Sequence, residues 1–349
     1  MTPTALFQHA GFAFLLLLLA AAGTWLMRRY GRILDHPNAR SSHAETTPRG
    51  GGVAIVITFL IGVATIGGLG EESQIHQRYF WAFLISSLLI AAISLYDDIQ
   101  EKTFQIKLAT HVIAIVLAIS AGLQLRGVII PGMGNSQFLL AMLSFLWLLG
   151  LTNAYNFMDG LDGIAASTAV IAALFFAMIT FEQGSSFMYL VSLVVAAASA
   201  GFLIFNWPKG SIFMGDVGSA FLGFVLAAMA IMAASFDRSH TSFFVMPLLL
   251  LHFLFDTIFT MGRRILAGEN PARAHCTHLY QLLVQMGKSH RQVTLIYSGL
   301  GLAQGAAAML MVHILGTGAR LWCFVPFILG YTAAAIALTR RARHARFIA

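Results

Sequence analysis

Asp97 and Asp98 stand side by side at the end of a long apolar run, in Leu95-Tyr96-Asp97-Asp98. Adjacent carboxylates at an interface repel unless a cation or hydrogen-bond donors offset them. On a helix they point about 100° apart, so one can hold a ligand while the other faces a helix end or a second ligand. Lys107 opens the next apolar run, where it can reach a phosphate or simply snorkel to the interface. The densest polar signal is Asn153-Ala154-Tyr155-Asn156-Phe157-Met158-Asp159-Gly160-Leu161-Asp162-Gly163. In helical form it brings Asn153, Asn156, Asp159 and Asp162 near one face. A polar stripe between apolar helices is expensive unless it binds something, although a capped turn is the plainer alternative. Asp216 lies between glycines in Phe213-Met214-Gly215-Asp216-Val217-Gly218-Ser219, a place for a helix cap or for a magnesium ligand beside phosphate oxygens.

His275 and His278 stand three apart in a basic loop with Arg263, Arg264 and Arg273, and can hydrogen-bond a phosphate or a sugar hydroxyl. Asp256 precedes them in an apolar run and is expected to pair with Arg263 or Arg264, or to support the site. Arg40, His43, Arg49 and Gly50-Gly51-Gly52 make residues 35–52 a candidate anion-binding flap. Hard oxygen ligands without a Cys/His zinc spacing favour Mg2+, with Mn2+ as the alternative.

The elements that carry these groups are greasy. The 349 residues are 58% hydrophobic and 10% charged, with mean hydropathy +0.79, whereas a soluble domain has about 25% charged residues. The expected fold class is all-α: a polytopic integral membrane helical bundle of about eleven spans. They lie near 9–27, 52–69, 79–96, 106–122, 137–154, 163–181, 186–205, 213–235, 241–261, 292–314 and 321–339. With the N-terminus outside and the C-terminus cytoplasmic, 17 of the 21 lysines and arginines fall inside, a strong positive-inside bias. All five polar stretches then face the cytoplasm. The expectation is a single membrane domain, 1–349, with active-site loops at 28–51, 97–106, 154–163, 206–216 and 262–291.

The first apolar run has its arginines after it and reads as an anchoring helix, not a cleaved signal. Cys276 and Cys323 form no disulfide framework. The net charge of +7 attracts anionic headgroups, a prenyl phosphate or a nucleotide. Nucleic acid is not an expected partner, because no soluble basic domain exists to hold it.

The motifs resemble the polyprenyl-phosphate N-acetylhexosamine-1-phosphate transferase family over about Asp35 to Arg291. Asp35-His36-Pro37-Asn38-Ala39-Arg40 through Pro48-Arg49-Gly50-Gly51 resembles its first cytoplasmic loop, and Asp97-Asp98 its paired aspartates. Asn153 to Gly163 resembles its asparagine and DGxDG signature, Phe213 to Ser219 its magnesium aspartate motif, and His275 with His278 its histidine motif. The resemblance implies transfer from a UDP-linked N-acetylated sugar to undecaprenyl phosphate, releasing UMP, at the bacterial cytoplasmic membrane. It implies Asp97, Asp98, Asp216 and His278 as catalytic residues, with Asp216 and Asp98 toward the metal. Arg49, Lys107, Asn153, Asn156, Asp159, Asp162, Arg264, Arg273 and His275 would bind substrates. Phosphoryl transfer asks for alignment and charge neutralisation more than for a strong base, and a phosphate monoester is largely ionised at neutral pH.

Members acting in peptidoglycan synthesis carry three consecutive histidines, which Arg273-Ala274-His275-Cys276-Thr277-His278 lacks. The His-Leu-Tyr-Gln ending resembles the O-antigen initiating branch, with GlcNAc or a 6-deoxy relative such as N-acetylfucosamine as the sugar. The competing class is a transporter or flippase of a lipid-linked or anionic solute. It predicts duplicated halves and polar residues near the midplane, whereas the polar residues here crowd at the run ends. A symmetric homodimer is the default assembly.

Overall fold

A computed structural model of the chain describes residues 2–31, 33–35, 46–69, 75–100, 104–127, 136–270 and 275–348. Its helices are α1 (Pro3–Tyr30), α2 (Gly52–Leu69), α3 (Gln77–Gln100), α4 (Phe104–Ser120), α5 (Gln137–Phe157), α6 (Ile164–Glu182) and α7 (Phe187–Asn206). They continue as α8 (Asp216–Ser235), α9 (Val245–Leu249), α10 (Leu251–Leu266), α11 (Leu279–Gln285), α12 (His290–His313) and α13 (Val325–His344). A 3-10 segment, Thr317–Phe324, leads into α13.

Local chemistry explains several helix starts. Thr2 accepts the Ala5 N–H with Pro3 in the first turn, and Ser289 with Gln292 forms a capping box at α12. Inside the helices, hydroxyls turn back on their own backbone. Thr24, Ser87, Thr152 and Thr180 donate to the carbonyls of Ala20, Phe83, Leu148 and Phe176 at 2.6–2.7 Å. No hydroxyl proton among these four is left unpaired in an apolar setting.

Eight helical stretches among the described residues are long and apolar enough to cross a membrane, and α2 and α4 are shorter apolar helices. The chain is a multi-pass helical membrane protein. The expected run 241–261 is interrupted, α9 ending at Leu249 and α10 starting at Leu251. A second unforeseen feature is a two-residue antiparallel pairing of β1 (Leu34–Asp35) with β2 (Thr47–Pro48).

α8 is the central post: 94% of its span is buried, against 6% for the last span, which lies at the periphery. α3, α5 and α2 pack around α8, and α7 lies against α1, α2 and α6. Phe59 of α2 meets Phe83 of α3 and Phe221 of α8 edge-on, with ring centroids 5.9 and 5.1 Å apart.

The chain after β2 is laced to the segment before α8. Phe213 N donates to Pro48 O, Gly51 N to Phe213 O and Gly52 N to Met214 O, all within 2.8–2.9 Å. The run of glycines is needed because backbones touch: a Cβ on Gly52 would fall on the main chain of Gly218. This lacing fixes Arg49 opposite the first turn of α8.

Candidate active site

Asp216 is the first residue of α8, and three side chains from three other elements converge on it. Its Oδ1 accepts from Arg49 Nη2 at 3.0 Å and from Asn156 Nδ2 at 3.0 Å. Its Oδ2 is in direct contact with Lys107 Nζ of α4. Lys107 also donates to Asn156 Oδ1 at 2.9 Å and lies 3.9 Å from Asp97 Oδ2. Asn156 completes its bonding through Ser219 Oγ at 2.8 Å. Two cations and an amide are thus held by carboxylates within a few ångströms.

Asp98 works from behind. Its Oδ1 accepts the Asp216 N–H at 3.0 Å and pairs with Arg49 at 2.9 Å, while Oδ2 accepts the Val217 N–H at 2.9 Å. It caps α8 from another helix, adding negative charge where the helix dipole is positive. Three of its roughly four acceptor sites are taken, so it positions Asp216 more than it offers oxygen to a ligand. Asp97, one position earlier on α3, faces Lys107.

Asp159 follows the end of α5, because the helix stops at Phe157 and the chain turns through Met158 to Gly163. The expected helical stripe therefore breaks after Asn156. Asp159 is partly buried, and its carboxyl makes no hydrogen bond among the described residues. Burial first, then the nearby negative charges of Asp216, Asp98 and Asp162, push its pKa up to about 7 against the pull of Arg49. A carboxyl held above its ordinary value of 3.8 loses more native stability the higher the pH, from about pH 4 until it levels above about pH 7. Asp159→Asn should accordingly be more heat-stable than the parent, with an advantage that grows across that window. We expect on the order of 2 kcal/mol at pH 8, about half of the full displacement because solvent reaches the side chain. Thermal unfolding in detergent without divalent cations at pH 5 and pH 8 checks this; an advantage that shrinks with pH would refute it.

The histidine pair forms the second half of the site. His278, at the start of α11, is buried and donates from Nδ1 to Asp256 Oδ1 at 3.1 Å, which leaves Nε2 as the nitrogen available to another partner. Asp256 also accepts from the backbone of Leu279 and Tyr280, from Thr260 Oγ1 and from Tyr297 OH. Five donors converge on this one carboxylate. His275 stacks on His278 with ring centroids 4.9 Å apart. Burial, then the positive surroundings of His278, Arg264 and Arg263, pull the His275 pKa down to about 4, so the ring is neutral at pH 7. Its Nδ1 accepts from Thr277 N, which assigns the ring proton to Nε2.

Residues 156–160 join the two halves. Tyr280 OH donates to Phe157 O at 3.0 Å, and Phe157 lies against the His278 ring. Gly160 is required there, since any side chain would collide with the Tyr280 hydroxyl.

The other expected site residues take different places. Asp256 does not pair with Arg263 or Arg264: α11 presents two N–H groups and His278 to it instead. Arg264 is held by Glu269 at 2.7 Å and Asn270 O at 3.0 Å, while Arg263 donates to Thr277 O. Asn153 donates back to Leu149 O, one turn earlier on α5. Asp162 turns toward α12, 3.4 Å from His290. Arg40, His43 and Arg273 lie outside the described residues. Asn206, which opens the 206–216 loop without an assigned role in the sequence, accepts the Gly163 N–H on its side-chain oxygen and donates to Ile212 O, tying the two loops together. A polar amide closing an apolar run was the available signal. Tyr297 carried no such mark.

Among the described residues no group of three or more His, Cys, Asp and Glu side chains forms a ready metal cage. The oxygens of Asp216, Asp97 and Asn156 nevertheless converge on one ammonium, that of Lys107. Hard oxygens gathered around a cation, with the raised Asp159 beside them, suit a divalent ion of the magnesium type.

Residues 80–234 match the family described as Glycosyl transferase family 4. The chain is 30% identical over 304 residues to the probable undecaprenyl-phosphate N-acetylglucosaminyl 1-phosphate transferase of Bacillus subtilis, covering 85% of this chain and 81% of that protein. It is 32% identical over 312 residues to the decaprenyl-phosphate N-acetylglucosaminephosphotransferase of Mycolicibacterium smegmatis, covering 80% and 76%. Similarity to the phospho-N-acetylmuramoyl-pentapeptide-transferase of Lactiplantibacillus plantarum is 31% over 202 residues, covering 53% and 61%.

Proposed function

Since the chain belongs to the polyprenyl-phosphate N-acetylhexosamine-1-phosphate transferase family, we propose that it moves an N-acetylhexosamine 1-phosphate from a UDP-sugar onto undecaprenyl phosphate. An oxygen of the lipid phosphate bonds to the phosphorus that bears the sugar. The bridging oxygen of the diphosphate leaves with UMP, so one P–O bond forms as one breaks. The observation that carries this reading is Lys107 and Arg49 held together by Asp216. Phosphate oxygens taking the place of the carboxylate beside these two cations would have their charge offset, as a phosphoryl transition state requires.

In this reading Asp216 and Asp97 hold Mg2+, or Mn2+, which when bound would draw electron density from the diphosphate oxygens. Asp98 keeps Asp216 on line through the α8 cap. Asn156 and Asp159 face the nucleotide phosphates, and His278, aimed by Asp256, lies with neutral His275 toward the sugar and diphosphate. Asp162 acts one step back, at the α12 contact.

The finer reading is an eleven-span bundle, N-terminus outside and C-terminus cytoplasmic, with the site on the cytoplasmic face of a bacterial inner membrane. It rests on the distribution of lysine and arginine. The product would begin a lipid-linked O-antigen or related surface glycan. The His-Leu-Tyr-Gln ending supports UDP-GlcNAc or a 6-deoxy donor such as UDP-FucNAc, and a homodimer is the expected assembly.

Purified protein with undecaprenyl phosphate and a panel of UDP-N-acetylhexosamines, read by UMP release with and without Mg2+, tests this. UMP that needs both lipid and metal identifies the donor. Folded protein that releases none from any donor would sink the reading.

A further inference from the structure

A cavity of about 560 Å³ lies between α10, α11, α12 and α13, with Asp256 in its wall and His278 not among its lining. It is the size of a small-molecule site, and its walls are largely hydrocarbon, with Leu283, Met286, Leu300 and Leu338 among them. Space exists because α13 contributes Ala334, Ala335 and Ala337 where larger side chains would close the gap. Two cations, Lys288 and Arg341, belong to its lining and are exposed. Neither has an ion-pair partner among the described residues. The inner polar wall asks for no charge, since Asp256 is already saturated by its five donors.

We propose that this cavity is a binding site for an anionic phospholipid, its chain in the α10–α13 cleft and its phosphate between Lys288 and Arg341. Charge decides the headgroup: a lone phosphodiester is attracted by two cations, whereas the ammonium of a choline headgroup is repelled. The substrate lipid is the poorer occupant. Its phosphate must reach Asp216, whose bonds run to Arg49, Lys107 and Asn156, and none of these lines the cavity. Occupancy would brace α11 from behind through Leu279, and so steady the loop that carries both histidines.

The test uses the full chain in phosphatidylcholine nanodiscs with trace spin-labelled phosphatidylglycerol or spin-labelled phosphatidylcholine, reading the motionally restricted fraction. Phosphatidylglycerol should be preferred over phosphatidylcholine. Lys288→Gln and Arg341→Gln should each lower that preference about fivefold, the factor one basic residue supplies near an anionic surface. Ala334→Phe with Ala337→Phe should remove the restricted phosphatidylglycerol signal. The surface variants keep the test decisive should the filled variant misfold. Absence of a preference, a preference unchanged in both glutamine variants, or displacement by stoichiometric undecaprenyl phosphate would each overturn the proposal. The readout needs no turnover, so failure of the transferase reading would leave it standing.

Discussion

Asp216→Asn should lower UMP release by about a thousandfold or more while leaving the fold in place. Asp216 draws Arg49, Lys107 and Asn156 to one point, and an amide cannot balance two cations or hold a divalent ion. Losing one preorganised electrostatic contact at a reacting phosphate or carbonyl costs about 10²–10³ in turnover, and here several fail together. Asp98 grips the backbone N–H groups of residues 216 and 217, not the Asp216 side chain, so the α8 cap survives the change. The loss should therefore appear in kcat with an unfolding temperature close to the parent's. Turnover within tenfold of the parent would show that Asp216 is not at the reacting centre. Asp98→Asn makes the contrast, since weakening the cap should lower stability as well as rate.

The second large effect is expected at Asp256. Its carboxylate accepts from five donors across α10, α11 and α12. Asparagine fits the space but turns an N–H₂ toward groups that also donate. A buried donor left unsatisfied costs about 1–3 kcal/mol, so Asp256→Asn should lose about 3 kcal/mol or more. Turnover should fall about a hundredfold, because His278 loses the bond that fixes its ring and tautomer. A double-mutant cycle separates the two consequences. If Asp256 acts on the reaction through His278, adding Asp256→Asn to His278→Ala should further reduce stability but hardly reduce kcat. Fully additive rate losses would instead place Asp256 in direct touch with substrate.

Arg49, Lys107, Asn156, Asp98 and Asp216 were legible as polar groups at the ends of apolar runs or in the glycine-rich loop, and the structure brings them together in one cluster. What failed was inference from spacing and from neighbourhood. The three-residue rhythm from Asn153 to Asp162 assumed a continuous helix, but the helix ends at Phe157, so Asn153 and Asp162 point elsewhere. Asp256 was expected to pair with Arg263 or Arg264 or else to support the site; the arginine pairing fails, because its histidine partner stands 22 residues away and arrives with α11. Helical runs were readable from hydropathy alone. The break at Leu250 and the pairing of Leu34–Asp35 with Thr47–Pro48 depend on packing that composition does not encode.

The reach of the Arg49–Asp216 pair has a consequence for how the protein is made. The two residues are 167 positions apart, so at a synthesis rate of ~5–20 residues per second Arg49 precedes its carboxylate by roughly 10–30 s. During that interval its charge is not yet offset by Asp216, and it can be read by the insertion machinery as a signal that holds the early loop on its side. On the proposed reading the same guanidinium would serve first as an address label during biogenesis and afterwards at the reaction centre. The five-donor shell of Asp256 is complete only once Tyr297 of α12 has been made, so this cluster closes after nearly all of the helices have been delivered.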